Sequence, residues 1–185
     1  MNEAILFTLS TVLGIAALLF TMRFYLQFIH VTTDNPITPL VYLSTNKVVD
    51  IGRSFVPGIF SYEIISLILA WMLEVLLIGS KRLLLGFDSP NLIALFSLGV
   101  LAVLKTIIYI VIFAVFIRAV LSWINPYSPI IGFLDSVTYR FLSPIQRRIR
   151  LIAGIDLSPL ILLFFCQLLL IWPIGVIEFY ILGRL

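Results

Sequence analysis

Four long apolar stretches constrain the fold of this chain more than any other feature of its sequence. They cover residues 4–28, 59–78, 91–124 and 157–182. A bilayer core about 30 Å thick needs roughly 20 apolar residues in a helix, so each stretch is long enough to cross a membrane. Charged residues make up only 11% of the chain, whereas soluble domains carry about 25%. The sequence therefore predicts an all-α membrane protein with four transmembrane helices.

Two more polar segments, 30–58 and 125–156, follow the first and third apolar stretches. Each has apolar residues at helical spacing, which predicts an amphipathic helix that lies in the membrane interface or forms part of a re-entrant hairpin. The apolar positions are Ile37, Leu40, Val41, Val48, Ile51 and Phe55 in the first segment, and Ile130, Phe133, Leu134, Val137, Phe141, Ile145, Ile149 and Ile152 in the second. We expect Pro144 to break the second helix.

The two halves of the chain resemble each other. Arg23 aligns with Arg118 at an offset of 95 residues, and Thr45 aligns with Thr138 at an offset of 93. Each half reads as a span, an amphipathic segment and a second span. Two spans in each half give both halves the same orientation, so the sequence predicts a parallel tandem repeat.

The repeat divides the chain into a degenerate first module at 1–80, a connector at 81–97 and a second module at 98–185. Lysine and arginine are concentrated in the amphipathic segments, and positive residues favour the cytoplasmic side of a membrane. We therefore expect both segments in the cytoplasm and both termini on the opposite side. Lys81 and Arg82, which we place in the opposite loop, weaken this assignment.

Arg23 and Arg118 are candidate functional groups, because a charge inside a membrane span is costly and usually contacts protein or water. Both lie near the end of a span. They could reach lipid headgroups and the negative end of their own helix. Alternatively, Arg118 could pair with Asp156, and Arg23 could pair with Glu63, since each acid lies at the start of the next span.

Glu74 and Lys105 lie deeper, within the second and third apolar stretches. They could pair with each other or line a polar path, and Lys105 could also extend toward the headgroups. Ion conduction normally needs several converging polar groups, and these residues are few for a pore. We expect Glu178, in the fourth stretch, to lie near the outer interface.

Catalytic and metal-binding patterns are absent from the sequence. The chain has one cysteine, Cys166, and one histidine, His30, so it cannot form a disulfide framework or a Cys/His metal cluster. It also lacks a nucleophile elbow and a phosphate-binding loop. We expect a non-enzymatic protein without a cofactor. Beside a membrane helix, the basic cluster Arg147, Arg148 and Arg150 favours anionic lipid over nucleic acid as a partner.

Three motifs in the second half carry a family resemblance. They are R-A-V-L-S-W-I-N-P at 118–126, F-L-S-P-I-Q-R-R-I-R at 141–150 and G-I-D-L-S-P at 154–159. These motifs resemble the YggT (YlmG) family of small bacterial and plastid membrane proteins, which often carry the module twice. The matching residues are Arg118, Trp123, Asn125, Pro126, Pro144, Arg147, Arg148, Gly154, Asp156, Ser158 and Pro159. The first half matches through Arg23, Asn35, Pro36 and Pro57-Gly58, and it departs from the pattern at Ser61, which stands in the aspartate position.

The resemblance implies a multi-pass protein of the bacterial inner membrane. In that membrane, the charge distribution described above predicts that both termini are periplasmic. Members of this family have been connected with cell division, membrane or nucleoid organisation, osmotic or potassium-related stress and, in plastids, cytochrome assembly. The motif also has a local structural interpretation. Asn125-Pro126 can end a helix, and Asp156 or Ser158 can cap the next span with Pro159 as its first residue.

Two functions are compatible with these features. The first is a non-enzymatic scaffold or interaction module in envelope organisation, cell division or osmotic stress. It would bind anionic membrane lipids and a membrane-protein partner, and wide lipid-facing surfaces are compatible with a homo-oligomer. The alternative is a small-ion channel or transporter, related to potassium, that depends on Glu74 or Lys105.

Overall fold

The structure is a computed structural model that describes residues 2–55, 62–86, 91–125, 127–148 and 156–183. All regular structure within these ranges is helical. In chain order the helices are α1 (Asn2–Phe28), α2 (Ile37–Phe55), α3 (Tyr62–Leu84), α4 (Leu92–Ile124), α5 (Pro129–Gln146), α6 (Ser158–Leu169) and α7 (Gly175–Leu182). A π-helical segment, Leu170–Ile174, joins α6 to α7.

Four helical stretches are long and apolar enough to cross a membrane. They are Glu3–Phe28, Ile64–Leu84, Leu92–Ile124 and Ser158–Leu182. This confirms the predicted all-α fold with four spans. The second span extends beyond residue 78, where the sequence predicted its end, so Lys81 and Arg82 belong to the last turn of α3 and not to a loop. Residues 81–97, expected as a connector, include the end of α3 and the start of α4.

The order of span, shorter helix and span occurs twice, as α1–α2–α3 and as α4–α5–α6/α7. The long helix α4 packs against α1 and α3 of the first half and against α5, α6 and α7 of the second, so it joins the halves. Near the end of α1, Arg23 contacts α2, and the Tyr25 hydroxyl donates to the Val137 carbonyl of α5 at 2.7 Å. Therefore α2 and α5 lie at the same end of the bundle, as a parallel repeat requires.

The end of α1 is a left-handed turn at His30, which has a φ of 56°. The backbone N–H of His30 donates to the Gln27 carbonyl at 3.0 Å, and that of Val31 donates to the Leu26 carbonyl at 3.1 Å. This pair of bonds is typical of a helix that ends in a Schellman turn. The single histidine of the chain thus takes part in the turn that leads from α1 to α2.

A close approach between α3 and α4 depends on Gly99. A Cβ at position 99 would lie 3.1 Å from Trp71 Nε1 and would overlap Val75 Cγ2. The same Trp71 N–H donates to the Phe96 carbonyl of α4 at 3.1 Å. In a bilayer, helix association depends on close packing rather than on the exclusion of water, so a small residue at the crossing is favourable.

Helix α5 continues through Pro144 and ends at Gln146. The prediction that Pro144 breaks this helix is therefore wrong. Proline removes one backbone hydrogen bond and crowds the carbonyl of the preceding turn. Because Pro144 lies in the final turn, where the helix is about to end, little helical structure is lost.

Candidate functional site

Arg23, near the end of α1, is only 4% exposed. Its Nη1 donates to Thr45 Oγ1 and to Asn46 Oδ1 of α2, both at 2.7 Å. The guanidinium carbon also lies 5.1 Å from the centroid of the Tyr42 ring. One face of α2 therefore surrounds a charge that lipid would not solvate. The Glu63 side chain lies outside the described residues, so the Arg23–Glu63 pair stays a prediction.

Arg118 is the repeat equivalent of Arg23, and its Nε donates to Asp135 Oδ1 of α5 in an ion pair. The predicted pairing of Arg118 with Asp156 is therefore wrong, although the Arg118 charge still acts on Asp156 electrostatically. Asp135 occupies the repeat position of Tyr42, at the offset of 93 residues. The two equivalent arginines therefore have different partners. Arg23 contacts the aromatic ring of Tyr42, and Arg118 pairs with the carboxylate of Asp135.

Buried threonines lie at equivalent positions of α2 and α5. Thr45 is 1% exposed and Thr138 is 0% exposed. Each hydroxyl donates to the carbonyl four residues earlier, from Thr45 to Val41 at 2.6 Å and from Thr138 to Leu134 at 2.8 Å. This local bond satisfies a hydroxyl that would otherwise be buried unpaired. It also leaves the Thr45 oxygen able to accept from Arg23.

The Asp156 carboxylate connects the end of α5 to the start of α6. Its Oδ1 accepts from the backbone N–H of Ser158 at 2.9 Å, and its Oδ2 accepts from Gln146 Nε2 at 2.7 Å. Burial alone would raise the pKa of this carboxyl, but hydrogen bonds from Ser158 and Gln146, together with the charge of Arg118, lower the pKa below its usual value. The N-cap residue of α6 is Leu157, and Asp156, one residue earlier, accepts from the first backbone N–H of the helix. Pro159 is the second residue of α6, not the first.

The motif asparagines lie at helix ends. Asn35 Oδ1 accepts from the backbone N–H groups of Ile37 at 3.1 Å and Thr38 at 2.9 Å, so it caps the start of α2 beside Pro36. Asn125 directly follows the last residue of α4, and its backbone N–H closes the final turn with a bond of 2.8 Å. This confirms the predicted end of the third span at Asn125.

The remaining motif residues are exposed or lie outside the described part of the chain. Trp123 is 80% exposed, and Pro144, Arg147 and Arg148 are exposed at the end of α5. Several predicted positions fall outside the described residues: Pro126, Gly154, Arg150, Pro57-Gly58 and Ser61.

The deeper charged residues do not form the pair that the sequence suggested. Lys105 of α4 forms an ion pair with Glu178 of α7, not with Glu74. Glu74 of α3 is 8% exposed, and its Oε1 accepts a long hydrogen bond of 3.4 Å from Thr106 Oγ1. Lys105 and Thr106 are neighbours on α4. At this position along the bundle, α4 therefore contacts α7 through Lys105 and α3 through Thr106.

Sequence reasoning found no role as partners for six of the contact residues described above: Tyr42, Asn46, Thr106, Asp135, Gln146 and Glu178. The repeat itself held a signal for two of them, since Tyr42 and Asp135 stand at equivalent positions. For metal binding, the described residues contain no group of three or more His, Cys, Asp or Glu side chains that could hold an ion. The polar contacts described above attach helices to one another and, in the two ion pairs, neutralise charge.

A family model described as CCB3/YggT matches this chain over residues 2–84 and 97–177. The chain belongs to the CCB3/YggT family. Uncharacterized protein YggT of Escherichia coli strain K12 is 29% identical over 173 residues, which cover 93% of this chain and 88% of that protein. An uncharacterized protein of Haemophilus influenzae is 30% identical over 164 residues, which cover 84% of this chain and 83% of that protein. No solved structure matches the chain.

The two CCB3/YggT segments correspond to the two structural halves. The first match ends at Leu84, where α3 ends, and the second begins within α4 and ends within α7. Each match contains one of the repeat-equivalent arginines, Arg23 or Arg118, and the shorter helix that this arginine contacts. This arrangement confirms the tandem organisation of the CCB3/YggT module, while the relatives' names specify no reaction.

Proposed function

We propose that this protein is a non-enzymatic interaction module of the bacterial inner membrane. In this proposal, α2 and α5 lie on the cytoplasmic face, both termini are periplasmic, and the two helices bind anionic lipid headgroups and a membrane-protein partner. The module would serve envelope organisation, cell division or osmotic stress. The family membership and the four spans support a membrane role, and the surface of α2 and α5 supports the interaction.

The observation that carries this proposal is an uncovered apolar side of α2. One side of the helix, including Val41 and Val49, is buried where α2 packs on α1 and α3. The adjacent side exposes Leu40, Leu43 and Ile51, which are 62%, 74% and 61% exposed. Water disfavours such a row of large apolar side chains, whereas acyl chains at the edge of a bilayer accommodate it.

Basic side chains accompany this apolar surface. Lys47 on α2 and Arg140, Arg147 and Arg148 on α5 are exposed. Among the described residues, none of these four takes part in an ion pair. Each lysine or arginine near an anionic leaflet contributes about 1 kcal/mol of attraction. The same charges favour the cytoplasmic placement of α2 and α5, and lipid rather than nucleic acid as their ligand.

The spans offer further surface for a protein partner or for a second copy of the chain. Phe113 of α4 is 66% exposed and Phe179 of α7 is 81% exposed. Lipid tails cover such side chains in a monomer, and another helix covers them in a complex. A homo-oligomer is therefore part of the proposal.

Electron paramagnetic resonance of spin-labelled lipids tests the lipid part of this proposal. In vesicles containing the full chain, we expect a larger immobilised fraction for phosphatidylglycerol than for phosphatidylcholine. Substitution of Arg147→Gln and Arg148→Gln should lower this selectivity by up to about fivefold per charge. The variant with Arg147→Lys and Arg148→Lys keeps the charge and should keep the selectivity. Equal selectivity in the Gln variant and the natural protein would refute the basic-surface proposal.

A small-ion channel or transporter, related to potassium, is the second candidate function. It is favoured by the polar side chains that α3, α4 and α7 bring to one level of the bundle: Glu74, Lys105, Thr106 and Glu178. Charged groups within spans commonly mark ion pathways. Flux of potassium, sodium and protons through reconstituted vesicles distinguishes this candidate from the first.

A further inference from the structure

A groove of about 930 Å³ lies between the two halves of the protein. Leu18 and Met22 of α1 form one wall, Phe113 of α4 forms another, and Phe133 and Val137 of α5 close the end near the shorter helices. The volume is at the upper end of the range of about 300–1,000 Å³ found for ligand pockets. The wall residues are apolar, so an apolar ligand fits their chemistry.

The groove opens toward the lipid. Leu18, Tyr109 and Phe113 line it and remain 42%, 55% and 66% exposed. All three lie within membrane-spanning helices. Since the surroundings of these helices are hydrocarbon rather than water, the substance that enters the groove from the side is an acyl chain.

A cation lies on α5 beyond the residues of this helix that line the groove. Arg140 follows Phe133 by seven residues on α5, which places it on nearly the same side, two turns or roughly 10 Å further along. Its guanidinium carbon is 5.4 Å from the ring centroid of Phe28, the last residue of α1. The other nearby arginine, Arg118, is already neutralised by Asp135. Arg140 is therefore placed to bind a phosphate.

We propose that this groove binds one acyl chain of an anionic phospholipid and that Arg140 binds the phosphate of the same molecule. This inference rests on the proposed function and narrows it from a general attraction for anionic lipid to one site.

Native mass spectrometry of the full chain in detergent, titrated with phosphatidylglycerol or phosphatidylcholine, tests this site. We expect one phosphatidylglycerol per chain to bind first and most tightly. Arg140→Gln should reduce the preference for phosphatidylglycerol over phosphatidylcholine by about fivefold, and Arg140→Lys should restore it. Leu18→Trp narrows the groove and should weaken the binding of both lipids. Ile15→Trp, on the lipid-facing side of α1, should bind as the natural protein does.

Circular dichroism of each variant establishes that it is folded. If folded Arg140→Gln and Leu18→Trp variants both bind phosphatidylglycerol as the natural protein does, the groove site is refuted. The proposed function still stands in that case if the Arg147 and Arg148 variant loses lipid selectivity in vesicles. Conversely, loss of the single bound lipid in the groove variants supports the site. It does so even if the Arg147 and Arg148 variant keeps its lipid selectivity in vesicles.

Discussion

At the scale of single residues, Arg23 and Arg118 show how one repeat position is stabilised in two ways. Thr45, Asn46 and the Tyr42 ring surround Arg23 without neutralising its charge. Asp135 neutralises Arg118, although the side chains of this pair remain 24% exposed for Arg118 and 45% exposed for Asp135. The Arg23 hydrogen bonds in the described structure come from Nη1, and its buried Nε has no partner among the described residues.

Removal of the Asp135 charge should therefore destabilise the second half. We expect Asp135→Asn to lower the free energy of unfolding by about 1 kcal/mol, a value that allows for the partial exposure of the pair. Tyr42→Phe keeps the ring beside Arg23 and should change stability little. Denaturant titration in detergent, followed by circular dichroism, measures both.

The double variant Arg118→Gln with Asp135→Asn completes the thermodynamic cycle. It should be less destabilised than the sum of the two single variants, because no unpaired charge remains. Additive effects would show that the contact between Arg118 and Asp135 contributes no coupling energy.

At the scale of helices, the contacts of α4 explain why the two halves form one body. Through Gly99, α4 approaches α3 closely, and it binds α7 through Lys105 and α5 through Arg118. The long fourth span is also continuous despite Pro173, because the backbone widens into a π-helical segment there. Such a segment is a common way for a helix to accommodate a residue that cannot donate a hydrogen bond.

Gly99→Val should disturb the crossing of α3 and α4. The added side chain would meet Trp71 and Val75, and overpacking of this kind costs about 1–3 kcal/mol. We expect a lower unfolding midpoint in detergent and a changed fluorescence spectrum from Trp71. Gly14→Val is the matched control, since a Cβ at position 14 has no neighbour within 4 Å among the described residues. A stable Gly99→Val variant with unchanged fluorescence would contradict the proposed close contact.

At the scale of the whole molecule, the paired polar groups of the bundle favour an interaction module over a pore. Lys105 and Glu178 neutralise each other, and Glu74 is buried beside Thr106. A conducting path needs polar groups along the full thickness of the membrane. At the other end of the bundle, the contact of Tyr25 with Val137 joins α1 to α5, so both shorter helices are presented on one face.

We accordingly expect vesicles that contain the protein to show no more potassium, sodium or proton flux than empty vesicles. A potassium ionophore added to the same vesicles verifies that a flux would be detected. A flux above that of empty vesicles would instead favour the channel or transporter, provided that Glu74→Gln alters this flux. The control variant Thr8→Val, near the start of α1, should then leave the flux unchanged.

Much of this fold could be predicted from the sequence, because bilayer thickness sets the length of each span and hydropathy reports that length locally. The four spans, the tandem order of elements and the helix end at Asn125 could be predicted from the sequence. These features depend on residues that are close together along the chain.

The tertiary structure alone decided which charged groups meet. Arg118 contacts Asp135 and not Asp156, and Lys105 contacts Glu178 and not Glu74. The groove between the halves also could not be predicted from the sequence. Such contacts depend on how each helix is rotated about its axis and how far it is shifted along its neighbours. Hydropathy carries little information about either, because lipid and a neighbouring helix are equally apolar surroundings for a side chain.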